Sequence, residues 1–352
     1  MESLPPSLRH LNHHQAPPTI NHNGNSTNPT KDKDNQDQEY DLAVPIIDLQ
    51  SLSHEKSKLD EACKEWGFFR LVNHGIPLTL LNQLQDQAKQ MFSLSFDTKQ
   101  ASCNGNSTTA SYFWGTPALT TSGTALTGGP QNAHLVEGFS FSMGQISQFQ
   151  PQLPELESFR LLLVEYGKHL SRIATTLFEE LVKSLELKNL LDPLSSKSSY
   201  LDVNTGNVRV YRYPSCPDSN DVRWGINEHT DSSVLSILSQ DDQVSGLEVL
   251  KDHKWVTVKP IPNTMIINIG DMMQALSDDT YKSVFHRVKI NNNKERISIC
   301  YFVFPDGDVK IESSKYKPFS YNEFRAQVQK DIKETGNKVA GLSRFPRNNK
   351  DN

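Results

Sequence analysis

From about residue 200 the chain stops looking helical and breaks into short β-branched and aromatic runs, at 208–213, 234–238, 247–250, 255–258, 265–269, 287–290 and 297–304. The gaps hold Asp241-Asp242, Asp252-His253, Pro262-Asn263 and Asn291-Asn292-Asn293. Such residues favour tight turns, because Asn and Asp tolerate left-handed backbone and Pro presets one dihedral. Many short strands at even spacing can bury their apolar faces in few ways. A β-sandwich or jelly roll is the expected one.

The rest of the chain supplies helices around that core. A short strand is expected at 44–49, a helix at 56–65, a second strand at 67–72 and a turn at Asn73-His74-Gly75. Pro77 opens a helix with Leu81, Leu84, Ala88 and Met91 on one stripe. Residues 154–187 read as a long helix whose stripe is Leu162, Tyr166, Leu170, Ile173, Leu177 and Leu181. At 1.5 Å rise per residue its length is roughly 45 Å, enough to back a sheet. Residues 101–150 show no clear period around Tyr112-Phe113-Trp114 and read as an irregular flap over a pocket. Residues 1–42 are polar and carry few large apolar side chains, so they are expected to be a disordered tail, with His10, His13, His14 and His22 solvated. The expected organisation is that tail at 1–42, an N-terminal region of helices, short strands and the flap at 43–150, the long helix and a linker at 151–200, the jelly-roll core at 201–306, and a C-terminal helix (321–336) and tail within 307–352. No internal repeat is present.

Bulk properties exclude some functions. With 352 residues and a net charge of −5, the chain has no basic footprint for nucleic acid. No run approaches the ~18 apolar residues of a membrane span, and no charged start leads into an apolar signal segment. Cys63, Cys103, Cys216 and Cys300 lack C-x-x-C spacing and read as reduced, mostly buried thiols. A cytoplasmic protein is expected, with the nucleus as the other compartment, acting as a monomer on a small molecule.

Two segments carry chemistry. His229-Thr230-Asp231 offers an imidazole and a carboxylate two positions apart, on one face if the segment is a strand. His286 lies 55 positions beyond Asp231, far enough to return on another strand. Two His and one carboxylate with open positions form the facial triad of non-haem Fe(II) oxygenases. Arg296 and Ser298 share a face by the same parity, and Cys300 and Phe302 follow them inward. A guanidinium beside a hydroxyl suits the forked grip of a carboxylate. His74, His134, His169 and His253 lack partners at useful spacing and read as structural or surface residues.

Further segments make the pattern specific. They are Val44-Pro45-Ile46-Ile47-Asp48, Gly67-Phe68-Phe69 through Asn73-His74-Gly75, Tyr213-Pro214-Ser215-Cys216-Pro217, Gly246-Leu247, Asn268-Ile269-Gly270-Asp271, and Lys282-Ser283 through His286-Arg287. With His229-Thr230-Asp231 and Arg296-Ile297-Ser298, the chain from about 44 to 336 resembles the plant 2-oxoglutarate/Fe(II)-dependent dioxygenases. Glu228 before the triplet and Ser-Tyr-Phe-Trp-Gly at 111–115 resemble the gibberellin-oxidase-like branch.

The resemblance implies a mainly β fold with flanking helices, a distorted double-stranded β-helix (jelly roll) backed by the long helix. It implies iron on His229, Asp231 and His286, and 2-oxoglutarate on Arg296, Ser298 and Tyr213. O₂ and ascorbate as reductant complete the chemistry. The implied activity is oxidation of a small apolar plant metabolite, a gibberellin or related diterpenoid acid, with release of succinate and CO₂. An alkaloid or flavonoid hydroxylase or demethylase is the alternative, and a ligand-binding member without turnover a third. Phe113, Trp114, Leu135, Phe302 and Phe304 are candidates for an apolar substrate wall. One departure is Tyr211, which stands where the family often has Asn two residues before the tyrosine.

Overall fold

The computed structural model describes residues 3–6, 8–9, 43–103, 109–115, 134–187, 199–217, 222–241, 243–335, 338 and 341–347. Two sheets face each other across a cavity, and helices cover the outer face of the larger one. The larger sheet has the order β1 (Ile46–Asp48), β2 (Phe68–Val72), β10 (Met265–Ile269), β7 (Leu235–Gln240), β12 (Arg296–Phe304), β5 (Asp202–Tyr213), β4 (Glu137–Ser142), β3 (Ala110–Trp114). The smaller has the order β6 (Trp224–His229), β11 (His286–Lys289), β8 (Leu247–Lys251), β9 (Lys254–Thr257). All pairings in the two sheets are antiparallel except β1 with β2. A ribbon of β13 (Lys310–Ile311) and β14 (Phe319–Ser320) lies near the C-terminal helix. The fold is mainly β with flanking helices, as the sequence implied.

Strand alternation builds two cores from one set of strands. On β12, Ile297, Ile299, Tyr301 and Val303 pack among the helices, while Arg296, Ser298, Cys300 and Phe302 line the cavity between the sheets. On β5, Val208 and Val210 point to the helices, and Tyr211 and Tyr213 to the cavity. Register brings Arg296 opposite Tyr213 and sets Ser298 between Tyr211 and Gln240. A one-residue slip would exchange the two faces, so the buried guanidinium of Arg296 and the apolar helix-side row fix each other's placement.

The helices are α1 (Lys56–Glu65), α2 (Leu78–Ser93), α3 (Phe96–Cys103), α4 (Pro154–Ser184), α5 (Asp271–Leu276) and α6 (Tyr321–Thr335). α4 is the long backing helix. Pro154 opens it, Glu155 and Glu157 sit in its first turn, and Lys183 lies in its last, all matching the helix dipole. It stops short of the expected 187, and the chain leaves through Glu186 at φ +58°.

Two sequence expectations change. Residues 101–150 are not simply irregular: β3 and β4 form the outer edge of the larger sheet. Their residues, Ala-Ser-Tyr-Phe-Trp and Glu-Gly-Phe-Ser-Phe-Ser, hide the period because buried polar groups replace apolar ones. The part of the expected flap at 104–108 and 116–133 lies outside the described residues. Second, the start of the chain is not a solvated tail throughout. Leu4 and Leu8 are buried in the cluster that also holds Phe113, Val136 and Tyr211. The Lys99 ammonium donates to the Ser3 carbonyl at 2.5 Å. The remainder of 1–42, including His10, His13, His14 and His22, lies outside the described residues. Along the larger sheet, β1 to β4 hydrogen-bond into the same sheet as β5, β7, β10 and β12.

Candidate metal and co-substrate site

His229 ends β6 and pairs directly across the ladder with His286, the first residue of β11. Their rings lie 4.3 Å apart, centroid to centroid. Asp231 is not on the strand, as parity had suggested; it lies in the turn after β6. Its Oδ1 is 3.9 Å from His229 Nε2 and 3.6 Å from His286 Nε2. Ligand-capable atoms of the three residues lie within 4.8 Å of one another. Neighbouring ligands on an octahedral ion at about 2.1 Å are about 3 Å apart, so each histidine and Asp231 would close by less than about 1 Å around one.

Hydrogen bonds orient each donor. His229 Nδ1 faces the Asn227 carbonyl at 2.8 Å, and His286 Nδ1 faces the Val284 carbonyl at 3.3 Å. Carbonyls only accept, so each Nδ1 carries the proton and each Nε2 turns a lone pair to Asp231. Asp231 Oδ2 accepts from the Ser236 hydroxyl and the Asn268 amide, both at 2.8 Å, which leaves Oδ1 for a metal. Burial, with help from His286, pushes His229 down to about 3, so it is a neutral ligand at physiological pH. Burial alone would raise the Asp231 carboxyl; His286, His229, Asn268 and Ser236 outweigh it and hold the group below its usual range. Two imidazoles that present Nε2 and one carboxylate on one side are a donor set that fits Fe(II) and leaves positions open.

Arg296 lies in the same cavity, lined by the triad and by Tyr213, Ser298 and Phe302. Its side chain is among the largest that are fully buried, at 2 % exposure. Among the described residues, one nitrogen has a protein acceptor within reach, Gln240 Oε1 at a long 3.4 Å, and Nε and Nη1 have none. The guanidinium sits 5.3 Å from the Tyr213 ring. Burial pushes the Tyr213 phenol up to about 12, so it remains an O–H donor. Ser298 shares the cavity. An unpaired buried guanidinium is costly, and a carboxylate ligand would relieve the cost.

The expected wall residues separate. Phe302 lines the cavity. Phe113 meets Tyr211 edge-on at 5.8 Å, one layer behind the cavity surface, and half-buried Leu135 packs against that same cluster. Trp114, one residue on, points to the opposite face and packs on Phe96 and Tyr112. Phe304 stacks on Tyr321 at 5.1 Å, past an irregularity in the β12 register. Neither of these two reaches the cavity. Sequence reasoning missed Gln240 and the pair Ser236 and Asn268. Parity on 234–238 could have flagged Ser236, but only three-dimensional register joins Gln240 to Ser298. His74 is structural: its Nδ1 accepts from the Ile76 backbone N–H at 3.1 Å. His253 sits in an exposed hairpin turn at φ +62°.

Comparison with known proteins agrees with this geometry. The description "2OG-Fe(II) oxygenase superfamily" matches residues 204–305, and "non-haem dioxygenase in morphine synthesis N-terminal" matches residues 44–152. Gibberellin 2-beta-dioxygenase 6 of Oryza sativa subsp. japonica is 34% identical, over 86% of this chain and 84% of its own length. Codeine O-demethylase of Papaver somniferum is also 34% identical, over 78% of this chain and 74% of its own. Among solved structures, JOX2 in complex with 2OG, Fe and JA superposes with a TM-score of 0.69 at 28% identity, covering 87% of this chain and 89% of that one.

Proposed function

We propose a reaction from one settled premise: the chain belongs to the 2OG-Fe(II) oxygenase superfamily, among its plant members. It is a 2-oxoglutarate-dependent dioxygenase that uses Fe(II), 2-oxoglutarate and O₂ to oxidise a small plant metabolite, with ascorbate as the usual extra. In our reading His229, Asp231 and His286 hold the iron, and Arg296, Ser298 and Tyr213 hold the far carboxylate of 2-oxoglutarate. The observation that carries this is Arg296: a guanidinium buried beside the triad, two of whose nitrogens have no partner among the described residues.

Each residue has a distinct task. The Nδ1 bonds to backbone carbonyls keep both imidazoles in the tautomer that presents Nε2. Ser236 and Asn268 stop Asp231 from rotating its second oxygen into the metal position. Arg296 supplies fixed positive charge and Tyr213 an O–H, so the co-substrate is held by one end with its other end toward the triad. The apolar walls from Ile226, Leu247, Val288 and Phe302 exclude water. Iron bound there supplies oxygen activation, coupled to conversion of 2-oxoglutarate to succinate and CO₂ and oxidation of a substrate C–H bond.

For the substrate we favour a gibberellin or related diterpenoid acid, supported by the relatives that carry that name and by the apolar cavity. A hydroxylase or demethylase of another specialised metabolite, such as an alkaloid or flavonoid, is the second reading, supported by the equal identity to codeine O-demethylase. A ligand-binding member without turnover is disfavoured by the complete donor set. No described helix is long and apolar enough to cross a membrane. Four free, buried cysteines suit a reducing compartment and a cytoplasmic enzyme, which we read as a monomer without nucleic-acid partners. The test is succinate release with Fe(II) and 2-oxoglutarate against gibberellins, alkaloid methyl ethers and flavonoids. Stimulation by gibberellins alone is expected; stimulation by another class alone moves the assignment there.

A further inference from the structure

We propose that Lys338 is a positioning residue for the iron site, clamping from the C-terminal segment the turn that carries Asp231. The inference rests on reading His229, Asp231 and His286 as the iron ligands. β6 ends at His229, so Thr230 and Asp231 lie beyond the last ladder bond of their strand. Something other than the sheet must set the angle between the first two ligands.

The Lys338 ammonium does this from 108 positions away in sequence. It donates to the Thr230 carbonyl and to the Thr230 hydroxyl, each at 2.9 Å, and to the Asp271 carboxylate. An ammonium has three N–H donors, and all three are used on this turn and its neighbour. The side chains of the pair are 8% and 4% exposed. Asp271 grips the turn a second time, because its backbone N–H donates to the Asp231 carbonyl at 2.8 Å. That bond needs Gly270: a Cβ there would lie 2.0 Å from the Ser233 carbonyl oxygen, so only glycine lets this backbone approach. Thr230 is held by Lys338 and Asp231 by Asp271, and the two holders are tied to each other. A lone ammonium near a dication would oppose metal binding; the Asp271 carboxylate cancels that charge and leaves the geometric effect.

Metal affinity is the readout, because outer partners of ligands typically change it about 10- to 100-fold. Anaerobic titration of the full-length protein with Fe(II), and with Co(II) followed by visible absorption, measures it without turnover. Lys338→Met is expected to weaken binding within that range, with the 2-oxoglutarate KM at saturating iron changed less than about two-fold. Thr230→Val, which removes one acceptor and is a milder test of the same fold, moves affinity in the same direction by less. Lys338→Arg restores most of the affinity. Lys338→Met combined with Asp271→Asn separates position from charge. If positioning is the cause, the double variant stays weak; recovery to wild-type affinity would show an orphaned carboxylate to be the cause and overturn the clamp. Equal affinities for wild type and Lys338→Met overturn the clamp alone. A wild type that binds no equivalent of Fe(II) overturns the triad reading, and the clamp with it.

Discussion

Two clusters of buried charge flank β5, and they are built differently. On the outer side, Lys99 and Glu137 are both completely buried, 2.6 Å apart. Every valence there is met. Lys99 also reaches the Ser3 and Phe92 carbonyls, while Glu137 accepts from the Tyr112 hydroxyl and, at 3.1 Å, from Arg212. Burial holds the Lys99 ammonium below its usual value, with Glu137 offsetting only part of the effect; burial and the adjacent Glu137 drive the Tyr112 phenol far up. On the inner side, Arg296 is as deeply buried and nearly empty-handed, and Asp231 and two imidazoles turn free lone pairs toward one point. Arg296 is buried about as fully as Lys99 and Glu137, so burial alone is not what marks a site. A saturated network serves stability and register; open valences held rigid are what a ligand completes.

The largest effect is expected at the triad. His286→Ala takes away one of the three convergent donors and should reduce 2-oxoglutarate decarboxylation to the level seen with chelator, with the melting curve of the metal-free protein nearly unchanged. Retained iron-dependent turnover would remove His286 from the ligand set. The outer cluster predicts the opposite pattern. Lys99→Met leaves Glu137 buried without its closest cation, a change that typically costs about 3–5 kcal/mol. Denaturant unfolding measures that loss, and the 2-oxoglutarate KM should not move. A variant as stable as wild type would break the contrast from its structural side.

Arg296→Lys sharpens it from the other side. An ammonium keeps the charge but cannot match the planar fork. Losing a charged hydrogen bond worth about 1.5–3 kcal/mol raises the 2-oxoglutarate KM by about 10- to 150-fold. Stability should not fall, because a guanidinium with two unpartnered nitrogens contributes little to the fold without its ligand. An unchanged KM in a steady-state titration of 2-oxoglutarate would sink the assignment.

The sequence made the inner cluster more legible than the outer one. Iron chemistry restricts residue types, so His229, Asp231 and His286 stand out by identity, and Arg296 with Ser298 by parity on a strand whose register the alternating Ile297 and Ile299 fix. Nothing restricts types in a saturated network, and Lys99, Glu137 and Arg212 look like any surface charges until helix α3 and strands β4 and β5 bring them together. Leu4 and Leu8 were hidden for a related reason: two leucines in a proline- and serine-rich run carry no period, and their burial depends on a surface made far along the chain. Lys338 and Gln240 act across 108 and 56 positions, distances at which pairing is set by topology alone.

The smallest expected effect tests the two faces of β3, where the sequence nominated Phe113 and Trp114 together. Alternation allows only one of them to look toward the cavity, and the structure gives that side to Phe113. Trp114 packs at 5.0 Å from Phe96 and 5.8 Å from Tyr112, in the same layer as the saturated cluster. Trp114→Phe keeps an aromatic ring there and should cost less than about 1.5 kcal/mol, with the KM for the oxidised substrate unaltered. Phe302 faces the cavity alongside Tyr211 and Cys300. Phe302→Leu, a change of similar size, should leave the melting temperature within a few degrees, on the order of the 1 kcal/mol scale for such swaps, and shift the substrate KM. If the Trp114 variant changes substrate KM and the Phe302 variant does not, the cavity wall has been drawn on the wrong face of the sheet, because a residue on the helix side can reach substrate only if β3 turns over.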